Sequence, residues 1–369
     1  GQITPPGSGL FDVRRVEVLS GPQGTLFGKN APAGVINIVT NGPELESNQA
    51  SLRVELGEKG HQVYQGIANV AVSETSALRL NAFGTLHDGL LDNPFQSKDE
   101  ADSESYGARL RYLWRPSEVF DLNVIADYEK DDGDAFLWTV RSATGSLAAQ
   151  LAACGVTPGP ENDDLCIDGS NFQVAESYGL SAQLDWTLGR HVLTSISARR
   201  GFDQDANSDS DSTSINIFNI NTANQRTTQW SQELRLASPA QQRLSYVVGL
   251  YYFDYDLELE TDQAGTLGAL PFVADRASLT HVEQLSYAAF GQATWRLTDA
   301  WSLVAGARQT REELDASLLN FTNTSSGVFV PGFSPPLGFT ASDIEEDNFS
   351  WRVGAQVFGG GRGEQDLLA

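Results

Sequence analysis

The chain has 369 residues, room for one large or two ordinary domains, and 20% of them are charged. Asp and Glu (48) outnumber Lys and Arg (24), giving a formal net charge of −24, which argues against nucleic acid as a partner. No apolar run approaches the roughly 20 residues of a membrane helix. That excludes helical spans only, because a membrane β-strand needs about 10 residues with every second one facing lipid.

Neither a signal peptide nor any Met is present, so the sequence reads as an internal piece of a longer product. The first readable elements are two short β-type runs, Val16–Leu19 and Val35–Val39. A loop rich in glycine, with Pro22 at its entry, holds them apart. Gly21, Gly24 and Gly28 allow positive φ or close backbone approach there, and Pro22 stiffens the entry. The segment Gly24–Lys29 hints at a phosphate loop. Its spacing is one residue short, and Asn30 stands where Ser or Thr is required.

After residue 50 the sequence alternates apolar and polar residues with a period of two. Tyr106, Ala108, Leu110, Tyr112 and Trp114 share one face of a run, with Arg109 and Arg111 opposite. From Tyr178 to Gly189 the split is cleaner, and Tyr287–Leu297 and Trp351–Val357 repeat it. About twelve such runs fall between residues 50 and 358. Their connections alternate in length. Short turns are expected near Ser73–Ser76, Pro116–Glu118, Gly189–Arg190, Pro239–Gln242 and Thr298–Ala300. Longer polar loops are expected at 88–104, 132–172, 206–225, 259–282 and 316–345. An up-and-down outer-membrane barrel sorts its loops by end in this way, whereas a soluble sandwich or propeller has no reason to. Trp114, Trp186, Trp295 and Trp301 lie close to short turns, as an interfacial aromatic girdle requires. The opposite face carries Arg, Gln, Asp and Thr, too polar for a dry core but suited to a lumen.

Cys154 and Cys166 share one polar external segment and are read as a loop-stapling disulfide. Asp203, Asp205, Asn207 and Asp209 place oxygen ligands at alternate positions, as calcium loops do. Ser208 and Ser214 stand where such a loop needs Gly and Glu, so a solvated acidic loop is the favoured reading. The four histidines have no metal spacing, and no cofactor is expected. No catalytic constellation stands out, so no enzymatic activity is expected. Residues 359–369 lose the pattern and read as a truncation or a change of reading frame.

The ordered motifs Arg-Val-Glu-Val-Leu, Gly-Pro-Gln-Gly-Thr-Leu-Phe-Gly and Ala-Gly-Val-Ile-Asn-Ile-Val-Thr within Val13–Thr40 resemble the second half of the plug domain of TonB-dependent outer-membrane transporters. The resemblance implies an all-β protein in three parts: the C-terminal part of a plug (1–46), about twelve strands of a 22-stranded antiparallel transmembrane barrel (47–358), and a tail (359–369). It implies that the first half of the plug, the TonB-binding segment and about ten further strands lie outside these residues. Its plug motif comprises Arg15, Glu17, Gly21, Pro22, Gln23, Gly24, Gly28 and Asn37. Arg15 is the candidate for an ion pair with a glutamate of the barrel wall, and Gln23, Phe27, Lys29 and Asn30 are candidate ligand contacts at the plug tip. The implied function is uptake of a ferric siderophore or related iron complex by a monomer in outer-membrane lipid, driven by the TonB–ExbB–ExbD complex. Two other readings stay open: a passive porin-like channel, which would have no plug motif, and a soluble β-rich ligand- or glycan-binding protein, which would not sort its loops.

Overall fold

The computed structural model describes residues 11–21, 24, 28, 33–135, 137–211 and 213–357. Pro22, Gln23, Phe27, Lys29 and Asn30, and the tail from 358 onward, lie outside the described residues. The first two strands, β1 (Val13–Ser20) and β2 (Gly34–Thr40), pair antiparallel as a sheet of their own. Their register sets Glu17 opposite Asn37 and Val18 opposite Ile36.

Twelve strands then form one antiparallel meander. They are β3 (Gln49–Leu56), β4 (Gln62–Ser73), β5 (Ser76–His87), β8 (Ser103–Ser117), β9 (Phe120–Gly133), β10 (Phe172–Leu188), β11 (His191–Asn207), β12 (Ile220–Ala237), β13 (Leu244–Gly265), β14 (Ala274–Arg296), β15 (Trp301–Phe321) and β17 (Gly338–Val357). Each pairs with the next in chain order, so local turns fix the topology without a crossover. Strands β3 and β17 lie at the two edges of the sheet. The remaining short pieces belong to loops: the hairpin β6 (Leu91–Asn93) with β7 (Lys98–Glu100), and β16 (Val328–Phe329), which adds a parallel pair to β14.

Turns at 74–75, 118–119, 189–190, 238–243 and 297–300 close one end of the sheet. Longer connections lie at the other end, with one short exception at 57–61. Two of the long loops are shorter than their sequence suggests. Strand β13 runs on to Gly265 and β14 starts at Ala274, while β15 and β17 leave only 322–337 between them. The longest connection, 134–171, is not featureless. It holds α1 (Gly145–Ala153), and Leu151, Val156 and Cys166 pack into a small core of their own, flanked by Val140, Ala143 and Leu147. Cys154 and Cys166 are bonded, with Cα atoms 5.9 Å apart.

The outward face carries two aromatic belts. The lower one contains Trp114, Trp186, Trp295 and Trp301, all exposed, with Phe120 packed edge-on against Trp114 at 5.7 Å. The upper belt contains Tyr106, Tyr128, Tyr178, Trp230, Tyr252 and Tyr287. Its rings touch across strands: Tyr106 with Tyr128 at 6.5 Å, Trp230 with Tyr252 at 5.0 Å, Tyr252 with Tyr287 at 5.4 Å. Tyr106 and Trp114, Tyr178 and Trp186, Tyr287 and Trp295 are each eight residues apart. That is roughly 26 Å along a strand, or roughly 20 Å of height at a tilt of about 40°, close to the apolar band of an outer-membrane barrel. Above the upper belt the strands continue. From Tyr252, β13 runs a further thirteen residues to Gly265, roughly 40 Å along the strand and 30 Å in height.

Candidate functional site

The two-stranded plug sheet rests against the inward face of the large sheet. Its base is held by arginines of the wall. Arg79 on β5 donates through Nε and Nη2 to the two carboxylate oxygens of Asp12, both at 2.6 Å. These side chains are 9% and 5% exposed, so the pair is shielded from water. Asn41 completes the anchor by donating to Asp12 Oδ1 at 2.8 Å. Burial pushes the Asp12 carboxyl up, but the hydrogen bonds from Arg79 and Asn41 outweigh it and hold the group below the ordinary carboxylate value. On the next strand, Arg111 Nη1 donates to the Thr40 carbonyl, the Thr40 hydroxyl and the Asn41 carbonyl at 3.0–3.1 Å. Both ends of the plug hairpin are therefore tied to β5 and β8. Phe11 stacks on Phe83 with ring centroids 4.1 Å apart.

Among the described residues Arg15, the candidate for an ion pair with the wall, pairs within the plug sheet. Its Nε donates to Glu17 Oε1 at 2.5 Å, and Asn37 Nδ2 donates to Glu17 Oε2 at 2.7 Å. Arg15 and Glu17 are two residues apart on a strand, so they share a face. The register then puts Asn37 beside them. At the Asp12–Arg79 contact the plug supplies the carboxylate and the wall the guanidinium. The acid that does this, Asp12, precedes β1 by one residue and carries no motif of its own.

The plug loop touches the wall at a second point. The Gly28 α-carbon approaches Arg308 on β15 so closely that a β-carbon would sit 3.3 Å from the guanidinium, and its φ is +78°. Arg308 is buried, sandwiched over Tyr251 and Phe290 at 5.5 and 5.4 Å, and donates to Thr310 Oγ1 at 3.0 Å. At the loop's other shoulder Gly21, with φ +79°, donates to the Ala33 carbonyl at 3.1 Å. Gly24 accepts from the Gly28 amide at 3.0 Å.

Three cavities lie along this inward face. One of about 220 Å³ lies beside the plug base, between Phe11, Thr40, Arg109, Asp127 and Arg200. Two more, of about 310 and 350 Å³, adjoin at Thr261 and Gln263 near the long-loop end. Arg276 lines the former, 5.9 and 5.2 Å from the rings of Phe218 and Phe333, which stack on each other at 5.5 Å. A guanidinium beside a stacked ring pair is an anion-binding group with an aromatic neighbour.

The calcium-like run does not converge. Asp203, Asp205 and Asn207 sit on β11, where alternate residues line up roughly 6.6 Å apart rather than wrapping around a point. Asp203 pairs with Arg226 at 3.1 Å. Asp209 accepts from the Asp168 and Gly169 amides, and Asn207 donates to the Ser170 and Asn219 carbonyls, so both serve as loop staples. The histidines, which lack metal spacing in sequence, do meet carboxylates through strand pairing. His281 Nε2 lies 3.2 Å from Glu283 and 3.6 Å from Asp256 on the outer wall above the upper belt.

Known proteins share this architecture. The chain is 27% identical over 313 residues to the pesticin receptor of Yersinia enterocolitica, covering 82% of this chain and 42% of that protein. It is 27% identical over 182 residues to the ferrioxamine receptor of the same organism, covering 49% of this chain and 24% of that one. The ferric yersiniabactin uptake receptor FyuA from Yersinia pestis superposes with a TM-score of 0.77 at 18% identity, over 94% of this chain and 50% of that structure. The chain thus spans half or less of the length of these relatives. Residues 48–358 match the TonB dependent receptor-like, beta-barrel family. With more than four-fifths of its length in that match and a plug sheet seated on the inner wall, the chain belongs to the TonB-dependent receptors of the outer membrane.

Proposed function

We propose that this chain is part of an outer-membrane receptor that takes up a ferric siderophore or a related iron chelate. The observation that carries the proposal is the plug sheet, fixed to the inward face at Asp12 and Thr40 and close to the wall again at Gly28. A barrel filled this way passes cargo only when the plug shifts, which a passive channel would not need. Relatives named for ferrioxamine and ferric yersiniabactin support an iron chelate as cargo. Such chelates are bulky and often anionic, and Arg276 beside Phe218 and Phe333 offers them charge and ring surface near the external end. Gln23, Phe27, Lys29 and Asn30 are proposed as further ligand contacts on the strength of their sequence motif. The TonB–ExbB–ExbD complex would supply the energy for the plug shift.

The test is uptake of ⁵⁵Fe chelates by cells expressing the gene that encodes this chain, with and without TonB. Uptake that requires TonB and drops at least tenfold in R276A supports the reading. Chelate-independent leakage of small solutes, unchanged without TonB, would mean a passive channel instead.

A further inference from the structure

At the outer end of the β13–β14 hairpin two carboxylates are packed away from water with no base beside them. Asp262 is 5% exposed and Asp275 is 0% exposed. They lie on one face of adjacent strands along a diagonal, Asp262 opposite Ala277 and Asp275 opposite Ala264. The β15–β17 connection folds over them. Asn323 reaches both: its amide N–H donates to Asp275 Oδ1 at 2.8 Å and its side-chain amide to Asp262 Oδ2 at 2.9 Å. Ser326 Oγ donates to Asp262 Oδ2, and Ser334 Oγ to the Asp275 carbonyl.

These donors occupy one oxygen of each carboxylate. The second oxygens, Asp262 Oδ1 and Asp275 Oδ2, are buried and take no donor from the described residues, and the two carboxylates lie within hydrogen-bond reach of each other. Among the described residues no lysine, arginine or histidine bonds to either aspartate. Arg276, beside Asp275 in the chain, turns to the opposite face, where it donates to Gln263 Oε1 and stacks on Phe218 and Phe333.

Burying a carboxylate without a countercharge costs several kcal/mol per ion. One divalent cation cancels both charges here. The two orphaned atoms are anionic hard oxygens, the donor chemistry that calcium prefers. Imidazole and thiolate, which would favour zinc or copper, are absent from the cluster. The other oxygens of the two aspartates, with water, can complete a shell of six to eight.

We propose that Asp262 and Asp275 form a calcium site that clamps the β15–β17 connection onto the β13–β14 hairpin. Asn323 and Ser326 of the connection bond the same two carboxylates that would hold the ion, so a seated connection and a bound ion favour each other. Calcium would thereby set the shape of the external end beside Arg276, Phe333 and the adjoining cavity.

The experiment uses protein extracted from outer membranes in detergent and stripped with EGTA. Terbium is titrated in and displaced with calcium, and proteolytic cleavage within 322–334 is timed with and without calcium. The expected result is saturable terbium luminescence that calcium displaces, with cleavage at least tenfold slower in calcium. D262N and D275N should lose both effects, while D203N keeps them. Heat-modifiable gel migration checks that each variant is folded, and the wild-type comparison with and without calcium needs no variant. Cleavage that ignores calcium in the wild type overturns the proposal. So does protection that follows pH alone, which would mean that the two carboxylates share a proton.

Discussion

Asp12 and Arg79 are separated by 67 residues in the chain and make the shielded ion pair that fixes the plug base. Removing one partner of such a pair leaves a buried charge. D12A or R79A should therefore loosen the plug by about 3 kcal/mol, the low end for a broken buried pair because Asn41 and Arg111 remain. Hydrogen exchange of the β1–β2 amides would show it, and unchanged protection in both variants would refute it. The same pair gives a pH dependence. The Asp12 pKa is lowered in the folded state, so its contribution is full above the ordinary carboxylate pKa of about 3.9 and is lost as pH falls through the lower folded value. Plug protection should hold at pH 7 and 5 and decline only below about pH 4. At Gly34, φ is +148° and an added β-carbon would stand 2.4 Å from the Leu19 carbonyl oxygen. G34A should cost on the order of 1–3 kcal/mol by prying β1 from β2, visible as faster exchange there than in the wild type. The need for glycine at Gly21 and Gly28 is legible from sequence, because turn chemistry is local, whereas Gly34 stands out only once β2 is paired with β1. The Asp12 contact is not, because nothing in a local pattern reveals which distant side chain a carboxylate will meet.

Strand existence is also local information. Period-two alternation and turn residues give the twelve strands and the five short turns, because between the aromatic belts one face meets lipid and the other the lumen. Strand ends are another matter. Above Tyr252 and Tyr287 both faces are wet, so β13 carries Asp254, Asp256, Glu258 and Glu260 where apolar residues stood below. Backbone pairing continues without the hydrophobic signal that would announce it, which is why 259–282 reads as loop and is mostly strand. The connection 134–171 hides order for a different reason: nine helical residues and a pair of cysteines inside a polar stretch are too short to show a period. Its small core is assembled by the Cys154–Cys166 bond, and closing a loop of this length is worth about 3 kcal/mol on the chain-entropy account. Reduction, or C154S with C166S, should make this connection protease-sensitive while the barrel strands stay protected. Equal resistance before and after reduction would show that the core stands without its staple.

At the scale of the molecule, the sheet of the described residues has two long edges. Strand β3 is exposed throughout, and on β17 Phe349, Trp351 and Val353 are exposed as well. Unpaired edges with apolar side chains seek further strands. These 369 residues produced alone should therefore associate in detergent, and light scattering that reports a single monomeric species would contradict this. The hairpin that overshoots the upper belt has a consequence for what can reach this protein. Its tip, 266–273, stands roughly 30 Å clear of the apolar band, and the turn at 238–243 lies on the far side of the bilayer. An antibody applied to intact cells should find an epitope tag inserted near Gly268 and miss the same tag near Ala240. The surface first met from outside the cell is then built from chain that owes nothing to lipid and is free to vary without disturbing the wall below.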